Sequence, residues 1–92
     1  MLRFDENTYI TLAHQRYGRY KYENEFIIFD NNLNITKISQ PFKFNRFSCV
    51  EFATSMFNQW NTNNIGITVS EMDCFQFIYL IDKDKLIDFI FS

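Results

Sequence analysis

The chain has 92 residues, of which 47% are hydrophobic, 20% aromatic and 22% charged, and its formal net charge is −2. These values are typical of one soluble domain, so we predict a single compact domain over residues 1–92. The acidic balance argues against a protein held on nucleic acid by its overall charge, and no apolar run approaches the roughly 20 residues of a membrane span.

The first predicted element is an amphipathic helix over about residues 6–17. Asp5 precedes it as a candidate N-cap, and Gly18 follows it as a candidate C-terminal cap. The apolar residues of the segment fall on one broad face of a helix. A strand remains the alternative, because some of these residues favour sheets: Tyr9, Ile10, Thr11 and Tyr17.

From residue 19 the hydrophobic period changes to two, which is typical of strands. The turn-forming residues 30–34 separate this stretch from a second strand at 35–38, so the sequence predicts a β-hairpin. Pro41 ends that hairpin, and residues 42–44 are expected to add a short edge strand.

The second predicted helix covers about residues 49–60. Ser48 and Glu51 have the spacing of a capping box, and Phe47 with Phe52 has the spacing of a hydrophobic staple. The apolar residues of this segment, Trp60 included, fit one helical face. We therefore expect the segment to lie on the core as an amphipathic helix.

Three strands are predicted after that helix, at about residues 65–69, 74–81 and 86–91, with a charged turn at 82–85 between the last two. The two final runs are apolar on both faces, as in strands covered on two sides. The predicted fold class is therefore α+β, a small single domain with two amphipathic helices packed on a mainly antiparallel sheet.

The chain is poor in the residues that usually carry catalysis. His14 is the single histidine, and it falls on the polar side of the first predicted helix. Cys49 and Cys74 lie at apolar positions, where cysteine behaves as a small hydrophobic residue. Neither metal-ligand spacing nor a glycine-rich phosphate loop is present. We predict a non-enzyme with no cofactor and no metal site, in a reducing cytoplasmic compartment.

One segment of the chain interleaves cations with tyrosines around a glycine. Tyr and Arg are enriched in protein-binding hot spots, and the same composition suits a small nucleic-acid surface. A half-buried strand with solvated charges is the third interpretation. The candidate partner-binding residues of this segment are Arg16, Tyr17, Arg19, Tyr20, Lys21 and Tyr22.

The charges of the chain are unevenly distributed, with a net +2 over residues 1–47 and −4 over residues 48–92. Asp82 and Asp84 belong to the acidic part and are predicted to contribute to partner binding. An acidic surface of this kind complements a basic partner protein and steers its association. A solvated turn is the alternative explanation.

In size, acidity, Asn and Phe content, and lack of catalytic residues, the chain resembles the small inhibitor proteins of bacteria and their mobile elements. This resemblance implies a toxin-immunity or phage anti-defence protein. We therefore expect a non-catalytic module that neutralises a partner protein, and a homodimer is compatible with this expectation. A nucleic-acid-binding module that uses residues 16–22 is the alternative, and no membrane interaction is expected.

Overall fold

The computed structural model describes residues 1–17, 21–44, 51–71 and 75–92. In these residues the chain forms two antiparallel sheets and one short helix. The first sheet contains β1 (Leu2–Arg3), β2 (Thr8–Tyr17), β3 (Lys21–Asp30) and β4 (Ile35–Ile38), in that spatial order. The second sheet contains β5 (Glu51–Asn58), β6 (Asn64–Glu71) and β7 (Phe75–Asp82), and α1 (Lys83–Ile90) follows it.

The predicted α+β fold with two helices on a sheet is wrong, because both predicted helices are strands. Residues 8–17 form β2, which pairs with β3 along its whole length from Thr8↔Asp30 to Tyr17↔Lys21. Asp5 does accept bonds in the manner of a cap, from the Asn7 N–H and the Thr8 hydroxyl, both at 2.8 Å. The turn that it closes leads into a strand, because β-branched and aromatic residues follow it.

The second predicted helix is also overturned. Residues 51–58 form β5 and pair with β6, with a register shift between Ala53 and Ser55. The proposed cap Ser48, the staple residue Phe47 and Cys49 lie outside the described residues. Trp60, expected on a buried helical face, lies in the loop after β5 with 90% of its surface exposed.

The helix of this fold lies where the sequence predicted a final strand. Asp82 caps it, since the Asp82 side chain accepts bonds from the backbone N–H groups of Asp84 and Lys85. Leu86 and Ile90, one helical turn apart, are the buried residues of α1. The expected charged hairpin turn is therefore an N-cap and a first helical turn.

Several predicted strands are confirmed. The turn after Asp30 joins β3 to β4, and its geometry depends on the Asp30 carboxylate, whose Oδ1 accepts the backbone N–H groups of Asn32 and Asn34 at 2.9 Å. Leu33 takes a positive φ of 64° in that turn. The predicted strands at 65–69 and 74–81 correspond to β6 and β7.

One hydrophobic core is shared by the inner faces of both sheets and by α1. Ile10, Phe26 and Ile28 come from the first sheet, and Leu86 and Ile90 from the helix. The second sheet supplies Ile65, Ile67 and Val69. Because these residues are nearly inaccessible to water, each stabilises the fold by about 1.5–3 kcal/mol relative to an exposed side chain.

An aromatic cluster closes the core beside α1. The Phe26 and Phe42 rings stack with centroids 4.9 Å apart, and Phe89 meets Phe42 edge-on at 5.4 Å. Two backbone bonds of 2.8 Å join Phe42 to Asn24 of β3, which fixes the segment after Pro41 against the first sheet. The short edge strand expected at 42–44 is thus reduced to a single bridge.

Candidate functional site

The register of the second sheet separates an inner face from an outer face. Ile65, Ile67 and Val69 of β6 point inward, opposite Ile81, Tyr79 and Phe77 of β7. Since side chains alternate along a strand, the residues between them point away from the core. The outer face therefore holds Phe57, Gly66, Thr68, Ile78 and Leu80.

A glycine shapes the centre of this outer face. Gly66 lies between Phe57 on β5 and Leu80 on β7 in the sheet register. The Phe57 ring covers the glycine so closely that a Cβ atom built at Gly66 would overlap three ring carbons. A side chain at position 66 would thus displace the ring, and the glycine allows an aromatic side chain to approach the strand closely.

The outer face is apolar and open to solvent. Ile78 is 64% exposed, Leu80 51% and Phe57 36%. Ser55 and Thr68 complete the face with a hydroxyl hydrogen bond of 2.7 Å between them. An antiparallel sheet with one solvated face ordinarily carries polar side chains there, so three large, exposed apolar residues on this face depart from the usual pattern.

Trp60 stands at one end of this face, in the loop that joins β5 to β6. The loop is held by the Gln59 N–H, which donates to the Asn64 carbonyl at 3.0 Å, and by the Thr62 hydroxyl, which donates to the Gln59 carbonyl at 3.0 Å. Asn61 takes a positive φ of 62°, a conformation that asparagine tolerates well. The loop thus has an ordered backbone and presents an indole to water.

Two carboxylates adjoin the Trp60 loop. The Lys83 N–H donates to the Asn63 carbonyl at 2.9 Å, which joins the loop to the start of α1. The Asn63 amide donates to Asp84 Oδ2 at 3.4 Å, and Asp82 caps the helix beside it. These bonds place the predicted acidic pair beside Asn63, in the same loop as the exposed tryptophan.

The neighbouring lysines are directed elsewhere. Lys83 Nζ donates to the Phe4 carbonyl at 3.4 Å and lies 5.7 Å from the centroid of the Phe4 ring. Lys85 lines a groove beside the aromatic cluster. The Lys83 ammonium group thus contacts Phe4, whereas the Asp84 carboxylate accepts the bond from the loop residue Asn63.

The groove beside the aromatic cluster lies between β7, α1 and residues 42–44. It has a volume of about 320 Å³ and is lined by phenylalanine rings, by Ile81 and Leu86, and by Lys43 and Lys85. Its lining is continuous with the core cluster of Phe26, Phe42 and Phe89. We interpret the groove as the open end of the core.

The remaining predicted site residues that the structure describes lie on β2 and β3. In the strand register, Arg16 is opposite Tyr22 and Tyr17 is opposite Lys21. Arg19 and Tyr20 lie outside the described residues. β2 and β3 belong to the first sheet, whereas Asp82 is the last residue of β7 in the second sheet and Asp84 lies in α1, so the two predicted groups are on different elements.

Sequence reasoning missed the apolar outer face. Phe57 and Trp60 were both assigned to a buried helical surface, and Ile78 and Leu80 to a strand covered on two sides. The available signal was Gly66, because an isolated glycine in a strand pattern indicates a close approach by another group. Its partner could not be known without the register of β5 against β6.

The described residues include the single histidine of the chain and several carboxylates. They contain no group of three or more His, Cys, Asp and Glu side chains that could hold a metal ion. His14 lies on β2 with an exposed side chain, not on a helix as predicted. No helix in the described ranges has the length and apolar character needed to cross a lipid bilayer.

Comparison with protein-family models, with curated proteins and with solved structures found no match to this chain.

Proposed function

We propose that this chain is a non-catalytic module that binds and neutralises another protein, in the manner of toxin-immunity or phage anti-defence proteins. The observation that carries the proposal is the open apolar face of Phe57, Ile78 and Leu80, with the exposed indole of Trp60 at its end. Tryptophan and large apolar side chains supply much of the free energy of binding at protein interfaces.

The chemistry beside this face favours a partner with a basic surface. Asp84 is exposed next to the Trp60 loop, whereas Lys83 is turned toward Phe4. A partner that buries the apolar face would bring its rim close to Asp82 and Asp84. Positive charge on that rim would speed association and disfavour acidic competitors.

A capture experiment followed by a purified titration tests the proposal. The tagged chain is exposed to an extract of its host cells, beside a Trp60→Ala/Leu80→Asp variant and an Ile35→Asp control. Ile35 is 56% exposed on β4, in the other sheet, so its substitution adds a charge to an exposed apolar position away from the proposed surface. We expect a partner retained by the wild-type chain and by the control, and lost with the double variant.

The captured protein is then purified and titrated against each chain. A stoichiometric complex that the double variant weakens at least about 100-fold supports the proposal, since two central contacts would contribute about 2.8 kcal/mol. The proposal fails if no captured protein shows this dependence.

The same purified chain also tests the nucleic-acid alternative. Binding through residues 16–22 predicts an affinity for single-stranded RNA or DNA that is highest at low salt and falls steeply as salt is added. Our proposal predicts no such binding, and Asp84→Lys should instead slow association with the protein partner.

A further inference from the structure

β7 is an edge strand without the features that usually protect an edge. Among the described strands, only β6 pairs with it. It has eight residues in unshifted register, and Asp82, at its end, is its single charged residue. Natural edge strands are normally short, bulged or charged, because an exposed backbone edge recruits other strands.

The other edge strands of the two sheets do carry such features. β1 has two residues and β4 has four, one of them Lys37. β5 contains a register shift and is held near β1 by the Asn58 amide, which donates to the Arg3 carbonyl at 3.4 Å. The long, regular and nearly uncharged strand is therefore β7.

The hydrogen-bond phase of β7 shows which backbone groups point to its outer edge. Asn64 and Asp82 are partners in the register, so Asn63 and Lys83 occupy the next pair of positions. The backbone N–H of Lys83 donates to the Asn63 carbonyl, which makes this a bonded pair. Antiparallel ladders alternate between bonded and non-bonded pairs, so the odd-numbered residues of β7 bond to β6. The N–H and C=O groups of Gln76, Ile78 and Leu80 therefore point away from β6, and their side chains share the outer face.

We propose that a second copy of this chain pairs with the β7 edge, antiparallel, about a two-fold axis at Tyr79. This register places Ile78 opposite Leu80 of the second copy, and Gln76 opposite Asp82 of the second copy. The four pairs made by these residues are all of the phase that points to the open edge. They would exchange about six backbone hydrogen bonds, because the carbonyl of the N-cap Asp82 in each copy already accepts the first bond of α1.

The side chains of β7 favour a second copy as the occupant of this edge. Ile78 and Leu80 would form apolar cross-strand pairs on the outer face, which stabilise sheets. Both capping bonds of Asp82 are accepted by Oδ1, so Oδ2 can accept the amide of Gln76 across the new pair. The two Asp82 carboxylates would be about 20 Å apart, beyond the screening length of about 8 Å in physiological salt.

The resulting dimer would contain one continuous six-stranded sheet, which joins the two apolar outer faces. A single strand pairing lies at the low end of the area of specific interfaces, about 1,000–1,200 Å² in total. We therefore expect a dissociation constant in about the micromolar range. This inference does not depend on the proposed function, because it concerns the purified chain alone.

Sedimentation velocity of the purified chain, from about 1 to about 200 µM, tests the dimer. We expect a shift from monomer to dimer for the wild-type chain. Ile78→Pro removes an N–H group that points to the open edge while it spares the bonds to β6, and it should weaken the dimer at least about tenfold. Ile78→Lys leaves the backbone unchanged and should weaken the dimer to a similar extent, because it places a charge in the new pair.

Ile35→Ala is the matched control, because it removes an exposed apolar side chain of β4, in the other sheet and away from the proposed partner surface. It should dimerise like the wild-type chain, and far-UV circular dichroism should show that each variant is folded. A wild-type chain that stays monomeric at about 200 µM would overturn the inference. So would a dimer that persists unchanged in both folded Ile78 variants.

Discussion

The far end of the Phe57 phenyl ring lies against Gly66, on the outer face of the second sheet. The glycine lets an aromatic side chain cover the backbone of the neighbouring strand, and Leu80 adjoins the same position from β7. This contact defines the centre of the apolar surface on which the proposed function rests. Because the contact is so close, a methyl group added at Gly66 should have a measurable effect on the stability of the protein.

Gly66→Ala should displace the Phe57 ring and destabilise the protein by about 1 kcal/mol, even though alanine is ordinarily better than glycine in a strand. In a Phe57→Ala background the same substitution should be neutral or stabilising. Urea denaturation of the four chains gives the coupling energy, which we expect to be about 1–2 kcal/mol. Additive effects of the two substitutions would show that the ring does not cover Gly66.

The assignment of faces in the second sheet predicts opposite outcomes for two isoleucines. Ile67→Ala should cost about 2–5 kcal/mol, because Ile67 is 0% exposed in the core. Ile78→Ala should change the free energy of unfolding by no more than about 0.5 kcal/mol at a concentration where the chain is monomeric. Both substitutions remove the same atoms, so their effects can be compared directly. Similar losses in the free energy of unfolding would mean that the register of β6 and β7 is misassigned.

Much of this architecture follows from the sequence, and the exceptions have physical causes. The β3–β4 hairpin was predictable because the Asp30 carboxylate and the asparagines after it fix a turn locally. β5 was not, because Phe52, Met56 and Phe57 satisfy a helical period as well as a strand, and the choice depends on pairing with β6. α1 was mistaken for a strand because residues 86–91 are mostly apolar, although Leu86 and Ile90 have helical spacing.

The candidate site was less predictable than the fold. Asp82 and Asp84 were recognised as a pair, but their separation from Lys83 depends on the contact of that lysine with Phe4, which is 79 positions away. The exposure of Trp60 depends on the loop between β5 and β6. Such contacts are set by tertiary structure and leave no local pattern in the sequence.

Asp82 is expected to act on stability through its cap, separately from any role in binding. Asp82→Ala should destabilise the protein by about 1 kcal/mol, whereas Asp82→Ser should retain most of the cap. Asp84→Ala removes a surface charge in the first helical turn and should cost about 0.5 kcal/mol or less. Thermal unfolding followed by circular dichroism separates the three variants, and equal losses for Asp82→Ala and Asp82→Ser would refute the capping role.

The carboxylates of Asp30 and Asp5, each in a turn, should make the stability of the protein depend on pH in the acid range. Backbone N–H donation, from Asn34 to Asp30 and from Asn7 to Asp5, is the main cause that lowers the pKa of each carboxyl below its usual value of 3.8. A lowered folded-state pKa stabilises the protein above the unfolded value, and that contribution is lost as the pH falls through the folded value. The urea concentration at the unfolding midpoint should therefore decrease as the pH is lowered below about 4.

Asp30→Asn provides the control for this acid response. It removes one titrating group from the turn, so the decline of the urea midpoint at low pH should be shallower than in the wild-type chain. An identical decline in both chains would show that the Asp30 bonds do not contribute to the pH dependence.

The fluorescence of Trp60 during titration with the captured partner tests the central claim most directly. Trp60 is the only tryptophan in the chain. The emission of the partner's own tryptophans can therefore be measured in a parallel titration with the Trp60→Phe chain and subtracted. If the apolar face and its loop form the binding surface, the Trp60 emission shifts to the blue and saturates at a fixed stoichiometry, because the indole leaves water. A complex that forms with full affinity while the Trp60 emission stays at its solvent-exposed wavelength would contradict the account.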